Sequence, residues 1–308
     1  MATRSIAENP VSRLNAKEYS TTGLSLTQLA LRRLRRDKLT MLALIILAAL
    51  ALLAAGAPVI SEYILNVDPN DTDAAASRFL PIGAEGHILG TDNIGRDHLA
   101  RLLFAGQISL GIGVSSAFLS FFIGITLGVI TGYYGGGIDD LINWLITTVT
   151  AIPGLVLLLL IAALFSPGPW TLILVLAFLT WTATTRLVRG ETFSIRERDY
   201  ILSARAIGAK DFQIMFRHIL PNLFSVTIVT LAINIGNVIL IESALSFLGL
   251  GVQPPTPTWG NMLSNSRTFF KQGPHLVVFP GLLIMLTVLC LYIIGDGLRD
   301  AFDPKTVD

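Results

Sequence analysis

The sequence predicts an all-α, polytopic membrane protein with six transmembrane helices. Composition is the first sign: 52% of the 308 residues are hydrophobic, only 14% are charged, and the mean hydropathy is +0.66, too apolar for a soluble domain. The second is a set of recurring, almost uncharged runs, each near the ~20 residues that cross ~30 Å of hydrocarbon. The third is that lysine and arginine gather on alternate connecting segments, as orientation in a membrane demands.

The spans fall at about 39–60, 105–133, 139–166, 169–187, 222–249 and 277–298. The first, "LTMLALIILAALALLAAGAP", is closed by Pro58. It begins behind a polar tail with no small-residue cleavage site, so a removable signal peptide is not expected. Before it, "LSLTQLALRRLRRDK" has leucines on one side and a basic opposite edge. This segment reads either as an interfacial helix on the membrane surface or as an anchor that fixes topology. The second span places Gly124, Gly128 and Gly132 four apart on one helix face. Such spacing lets helix backbones approach closely in lipid, within the subunit or against a partner. The third carries Pro153-Gly154 near its middle, a kink or break.

The tail 1–38 holds eight Lys/Arg and the segment 186–220 holds seven, whereas 61–103 holds three against seven acids. The basic segments are therefore expected to be cytoplasmic, with both termini inside. The chain divides into a cytoplasmic tail 1–38, a six-span domain 39–301 and a cytoplasmic tail 302–308. Outer loops are expected at 61–103 and 250–276 and a cytoplasmic loop at 188–221.

Several chemistries have no sequence basis. No Gly-Lys pair occurs, which excludes a Walker-type phosphate loop. His87, His98, His218 and His275 lack metal-ligand spacing. The acidic run "DPNDTD" at 68–73 lacks the glycine and later glutamate of a calcium loop. Hydrolase patterns such as Gly-x-Ser-x-Gly are missing. Lone Cys290 lies in an apolar run and reads as a small buried hydrophobe. The expectation is a chain that is not an enzyme, with no metal, no cofactor of its own and no nucleic-acid partner.

Ionisable residues inside spans are functional candidates by default. Glu242 lies about 21 residues into the fifth span, or ~30 Å along it, near the outer interface. A hydrogen-bonded structural carboxylate is the favoured reading there, with lining of a pathway mouth as the alternative. Asn234 and Asn237, deeper in the same span, either glue helices together or face a passing solute. Asp296 and Asp300 flank Arg299 at the cytoplasmic end of the last span, an interfacial charge cluster.

One polar segment between spans stands out, "SARAIGAKDFQIMFRHILP" at 203–221. Ile201, Ala204, Gly208, Phe212, Met215 and Ile219 step by three or four, the helical period. Gly208 weakens a continuous helix, so two short helices joined near Gly208–Ala209 are expected. Asp211 helps start the second from a near-cap position, and Pro221 fits the first turn of the fifth span. Small residues Ser203, Ala204, Ala206, Gly208 and Ala209 leave a narrow elbow, with Arg205 and Lys210 beside it. Such an elbow can slot into a groove on a soluble partner; the alternative is an amphipathic loop lying on the membrane.

This stretch resembles the "EAA" cytoplasmic loop of ABC importer permeases. Aligned on Gly208 and Leu220-Pro221 it matches without gaps, with Ser203 and Ala204 at the two alanine positions. Leu202 replaces the glutamate and His218 the isoleucine. "HILGTDNIGRDHLARLLFAGQISLGIG" (87–113) and "ESALSFLGLGVQPPTPTWGNML" (242–263) resemble segments of the dipeptide, oligopeptide and nickel permeases, of the second permease subunit type. Ile88 stands where a proline is common.

The resemblance implies the type I permease fold and a heteromeric importer in a prokaryotic inner membrane. Its partners would be a second homologous permease subunit, two cytoplasmic ATP-binding subunits that carry ATP and Mg, and an extracytoplasmic solute-binding protein. The coupling residues it implies are Ser203, Ala204, Arg205, Gly208, Ala209, Lys210, Asp211, Leu220 and Pro221. Peptide is the expected cargo, with nickel or another small solute as the alternative. A stand-alone secondary transporter is disfavoured by the lack of internal repeats.

Overall fold

A computed structural model describes residues 26–72, 78–84, 86–165, 168–264 and 266–303. Most of the N-terminal tail and residues 304–308 of the C-terminal one lie outside the described residues, as does Asp73 of the acidic run. Among the described residues the chain is helical, and its only β pairing is an isolated bridge between Thr91 and Asp97.

Helix α1, Leu26–Arg36, is the basic segment ahead of the first span, and α2, Lys38–Ala55, is that span. Asp37 separates them because its carboxylate caps α2, accepting from the Leu39 N–H at 3.0 Å and from the Thr40 hydroxyl. The Thr40 hydroxyl bond, with the backbone bonds, holds Asp37 below the usual carboxylate range against a raising effect of burial. Arg33 Nη1 donates to the Asp303 carbonyl at 2.9 Å, tying α1 to the far end of the chain.

Helix α3, His98–Tyr134, starts seven residues before the expected span and runs for 37 residues, about 55 Å at 1.5 Å per residue. The early start comes from Asp97, whose carboxylate accepts from the Ala100 N–H at 2.7 Å. The third expected span is two helices, α4 (Gly136–Ala151) and α5 (Gly154–Leu164). Proline disfavours the α region at the residue before it, and Ile152 is extended at φ −86, ψ 125. Five described helices are therefore long and apolar enough to cross a membrane, and the remaining expected crossing is made of two shorter pieces.

Helix α6, Pro169–Arg196, continues nine residues past the expected end of its span. Next come α7 (Asp199–Ala206), α8 (Asp211–Ile214), a π turn over Met215–Ile219, and α9 (Leu220–Phe247). The π turn shifts the ladder by one residue just before Pro221, and the Leu220 N–H reaches back to the Met215 carbonyl. That accommodates a ring that would otherwise strike the carbonyl four residues back. The short α10, Trp259–Met262, lies in the second outer loop, and α11, His275–Phe302, is the last span.

The glycine face of α3 packs within the subunit, against α6. A Cβ on Gly124 would lie 2.6 Å from Thr184 Cβ, one on Gly128 2.6 Å from Val188 Cβ, and one on Gly132 2.5 Å from Thr192 Cβ. The three facing residues are also four apart, so two straight helices meet along one seam. Gly113 against Ile239 and Gly295 against Ile233 bring α9 against α3 and α11 in the same way. Cys290 is buried with Ala43 and Ile294 between α2 and α11.

Candidate functional site

The polar segment folds as an elbow standing on the C-terminal ends of α3 and α6. Its first arm, α7, ends in a Schellman turn. Gly208, at φ +88, donates to the Arg205 carbonyl at 3.0 Å, and the Ala209 N–H reaches the Ala204 carbonyl at 3.1 Å. The second arm is α8 with the π turn that leads into α9. Ile201, Ile214, Met215 and Ile219 are buried in one cluster with Val129, Tyr133, Val188 and Ile195. Both arms are thus anchored by apolar burial, and the tip is left outside.

The left-handed turn at Gly208 rotates the second arm, so the residues expected on one stripe do not share a face. Ile201, Ala204, Met215 and Ile219 point inward, whereas Gly208 and Phe212 are exposed. Of the other expected coupling residues, Ser203, Arg205, Lys210, Asp211 and Pro221 are exposed, while Ala209 and Leu220 are half-buried. Asp211 does stand next to the cap position, which Lys210 occupies. It is the first residue of α8, without a side-chain cap bond, and its Oδ1 accepts from the Tyr133 hydroxyl at 2.7 Å.

The most exposed residue of the tip is one the sequence pattern did not single out. Ile207 is 87% exposed and Phe212 66% exposed; Phe216 stacks on Phe212 with ring centroids 4.3 Å apart. Leu202, at the position of the usual glutamate, is exposed on the same elbow. The signal for Ile207 was its position at a helix C-cap directly before a glycine, where a side chain projects past the last turn.

Charged side chains brace the base of the elbow. Arg189 grips Asp139 with Nε on Oδ1 and with Nη2 on Oδ2 at 2.6 Å, tying α6 to α4. Arg196 Nη1 donates to the carbonyls of Gly132 and Tyr133 at 3.1 and 3.2 Å, satisfying the end of α3.

At the opposite end Glu242 is fully buried and joins three elements. It accepts from the Ser246 hydroxyl at 2.7 Å and from the Ser109 hydroxyl at 3.3 Å. Ser109 Oγ in turn accepts the Trp259 N–H at 3.1 Å, and the Trp259 ring N–H donates to the Leu102 carbonyl at 3.1 Å. The second outer loop is stapled to α3 and α9 around this carboxylate. Asn234 Nδ2 reaches Ser120 Oγ at 3.4 Å, and Asn237 Oδ1 accepts from the Tyr292 hydroxyl at 2.7 Å, so each links α9 to a neighbour. In the first outer loop, Asp92 pairs with Arg96 at 2.7 Å and lies 3.6 Å from Arg101; His87 meets Asp97 at 2.8 Å. Among the described residues no cluster of His, Cys, Asp and Glu has a composition fit for a metal ion.

Residues 124–308 match the family described as binding-protein-dependent transport system inner membrane component. Residues 25–81 match the N-terminal TM domain of oligopeptide transport permease C. The dipeptide transport system permease protein DppC of Alkalihalophilus pseudofirmus is 40% identical over 90% of this chain and 89% of its own length. The oligopeptide transport system permease protein OppC of Haemophilus influenzae is 36% identical over 94% and 92%. The glutathione transport system permease protein GsiD of Pectobacterium atrosepticum is 43% identical over 72% and 74%. A solved structure of the MetNI methionine ABC transporter in inward-facing conformations superposes with TM-score 0.51 at 17% identity, covering 64% of this chain and 93% of that one. That likeness adds the fold, the type I permease arrangement. With more than half its length inside the family and relatives spanning nearly all of it, this chain belongs to the binding-protein-dependent transport system inner membrane components, the membrane-spanning subunits of ABC importers.

Proposed function

We propose that this chain is one of two permease subunits of an ATP-driven importer of dipeptides and oligopeptides, and that its elbow receives the motion of a cytoplasmic ATPase. ATP and Mg belong to the ATP-binding subunits, because this chain has no phosphate loop. A second homologous permease completes the pathway, and an extracytoplasmic binding protein delivers the solute. The basic tail and the elbow face the cytoplasm.

The observation that carries this reading is the elbow tip. Ile207 is almost fully exposed on a turn whose two arms are each buried against α3 and α6. An apolar knob on a rigid base suits an ordered groove, with Arg205, Lys210 and Asp211 supplying charge around it. Drawing two such elbows together on ATP binding would tilt the helices that carry them and open the pathway outward. Hydrolysis would return it inward. The cargo class follows the relatives, whose names specify dipeptides, oligopeptides and glutathione, itself a tripeptide.

The exposed Phe212 and Phe216 favour a second reading, in which the elbow rests on lipid. Copurification separates the two. With Ile207→Glu, the ATPases are expected to leave the complex while the chain still inserts. Full retention of the ATPases by that variant would count for the lipid reading.

A further inference from the structure

Resting on the reading of the elbow as the ATPase-coupling element, we infer that Tyr133 is the positioning residue that locks the two arms to each other and to α3. Tyr133 is the second-last residue of α3 and is buried. Its hydroxyl donates to Asp211 Oδ1 at 2.7 Å, fixing the start of the second arm. The guanidinium of Arg205, near the end of the first arm, lies 5.4 Å from the centroid of the same ring, within cation–π range. One side chain therefore touches both arms on either side of the Gly208 turn.

Tyr133 is itself held firmly. Its carbonyl and that of Gly132 accept from Arg196, and Gly132 sits against Thr192 with no room for a Cβ. A push on the elbow tip accordingly meets α3 directly at Tyr133. Without the hydroxyl, the second arm would keep its apolar anchors, Ile214, Met215 and Ile219, but lose its polar link to α3. The elbow would still dock and would transmit less of the movement.

The test uses the full complex with its natural partners in lipid nanodiscs. Cys290, the sole cysteine, is replaced by alanine, and Leu248→Cys at the far end of α9 serves as reporter. The readout is the change in maleimide labelling rate when ATP and vanadate trap the ATPases closed. Tyr133→Phe is expected to retain bound ATPases and trapped nucleotide at parental levels while the nucleotide-dependent change falls several-fold. Asp211→Ala should diminish the change, measured per bound ATPase, at least as much, the double variant should lower it no further, and Asp211→Asn, which keeps an acceptor oxygen, should retain most of it. An undiminished change in Tyr133→Phe, or additive losses in the double variant, would overturn the inference. If Ile207→Glu sheds the ATPases while Tyr133→Phe stays fully coupled, only the Tyr133 inference falls. If Ile207→Glu keeps them, the docking reading falls with it.

Discussion

Substitution of Gly208 isolates backbone conformation from bulk at the elbow. Its φ of +88 lies in the left-handed region, and a Cβ built there meets nothing within 4 Å of this chain. Alanine therefore adds no clash, only the conformational penalty of about 1–2 kcal/mol that L-residues incur there. Two hydrogen bonds define the turn, Gly208 to Arg205 and Ala209 to Ala204, and both are lost if the residue relaxes to negative φ. A penalty of that size lowers the population of the formed elbow by about 5- to 30-fold relative to its alternatives. Asparagine, which tolerates the left-handed region better, should lose less than alanine, and valine should lose more because of its branched Cβ. The assay is ATP-driven uptake by the reconstituted complex, alongside ATP hydrolysis and the amount of inserted chain. Uptake should fall in the order Gly, Asn, Ala, Val with insertion unchanged and with ATP hydrolysis no longer matched by uptake. Wild-type uptake by Gly208→Val would refute the reasoning.

Other outcomes follow from the packing. Gly128→Leu should lower the melting temperature of the purified protein, since overpacking costs about 1–3 kcal/mol and Val188 already sits 2.6 Å from where the Cβ would be; Gly111→Ala, with open space around it, should be neutral or slightly stabilising in the same melt. Glu242→Leu leaves the hydroxyls of Ser109 and Ser246 without their acceptor, about 1–3 kcal/mol for each buried group left unsatisfied. Glu242→Gln should be milder, and equal melting of the two variants would contradict the network. Asp139→Ala removes the carboxylate held by Arg189, a partly exposed pair worth about 1 kcal/mol at most. It should loosen α4, read as faster amide exchange over 136–151.

The spans were legible because hydrocarbon imposes a length and a composition on any helix that crosses it, and α2, α6, α9 and α11 fall close to the expected runs. The early start of α3 was missed because it depends on Asp97 capping a polar first turn that carries no apolar signal. The break at Pro153 was foreseen, since proline acts through local sterics. The glycine face of α3 was visible as spacing, but its partner, Thr184, Val188 and Thr192, lies more than 50 residues away in the chain and is set by tertiary packing. At the elbow, Gly208 announced a turn, yet its handedness decides which residues face out. A count of three- and four-residue steps groups Phe212 with Ile201 and Ala204 even where a turn divides two helices, and it passed over Ile207. The link from Tyr133 to Asp211 spans 78 residues of chain, beyond the reach of any local pattern.

The docking of the elbow is tested most directly by a photocrosslinking amino acid placed at Ile207 in membranes containing the whole complex. The account predicts a crosslinked product joining this chain to an ATP-binding subunit, formed with the side chain on the cytoplasmic face. Crosslinks to phospholipid alone, or quenching of the probe by an impermeant reagent added outside, would contradict it.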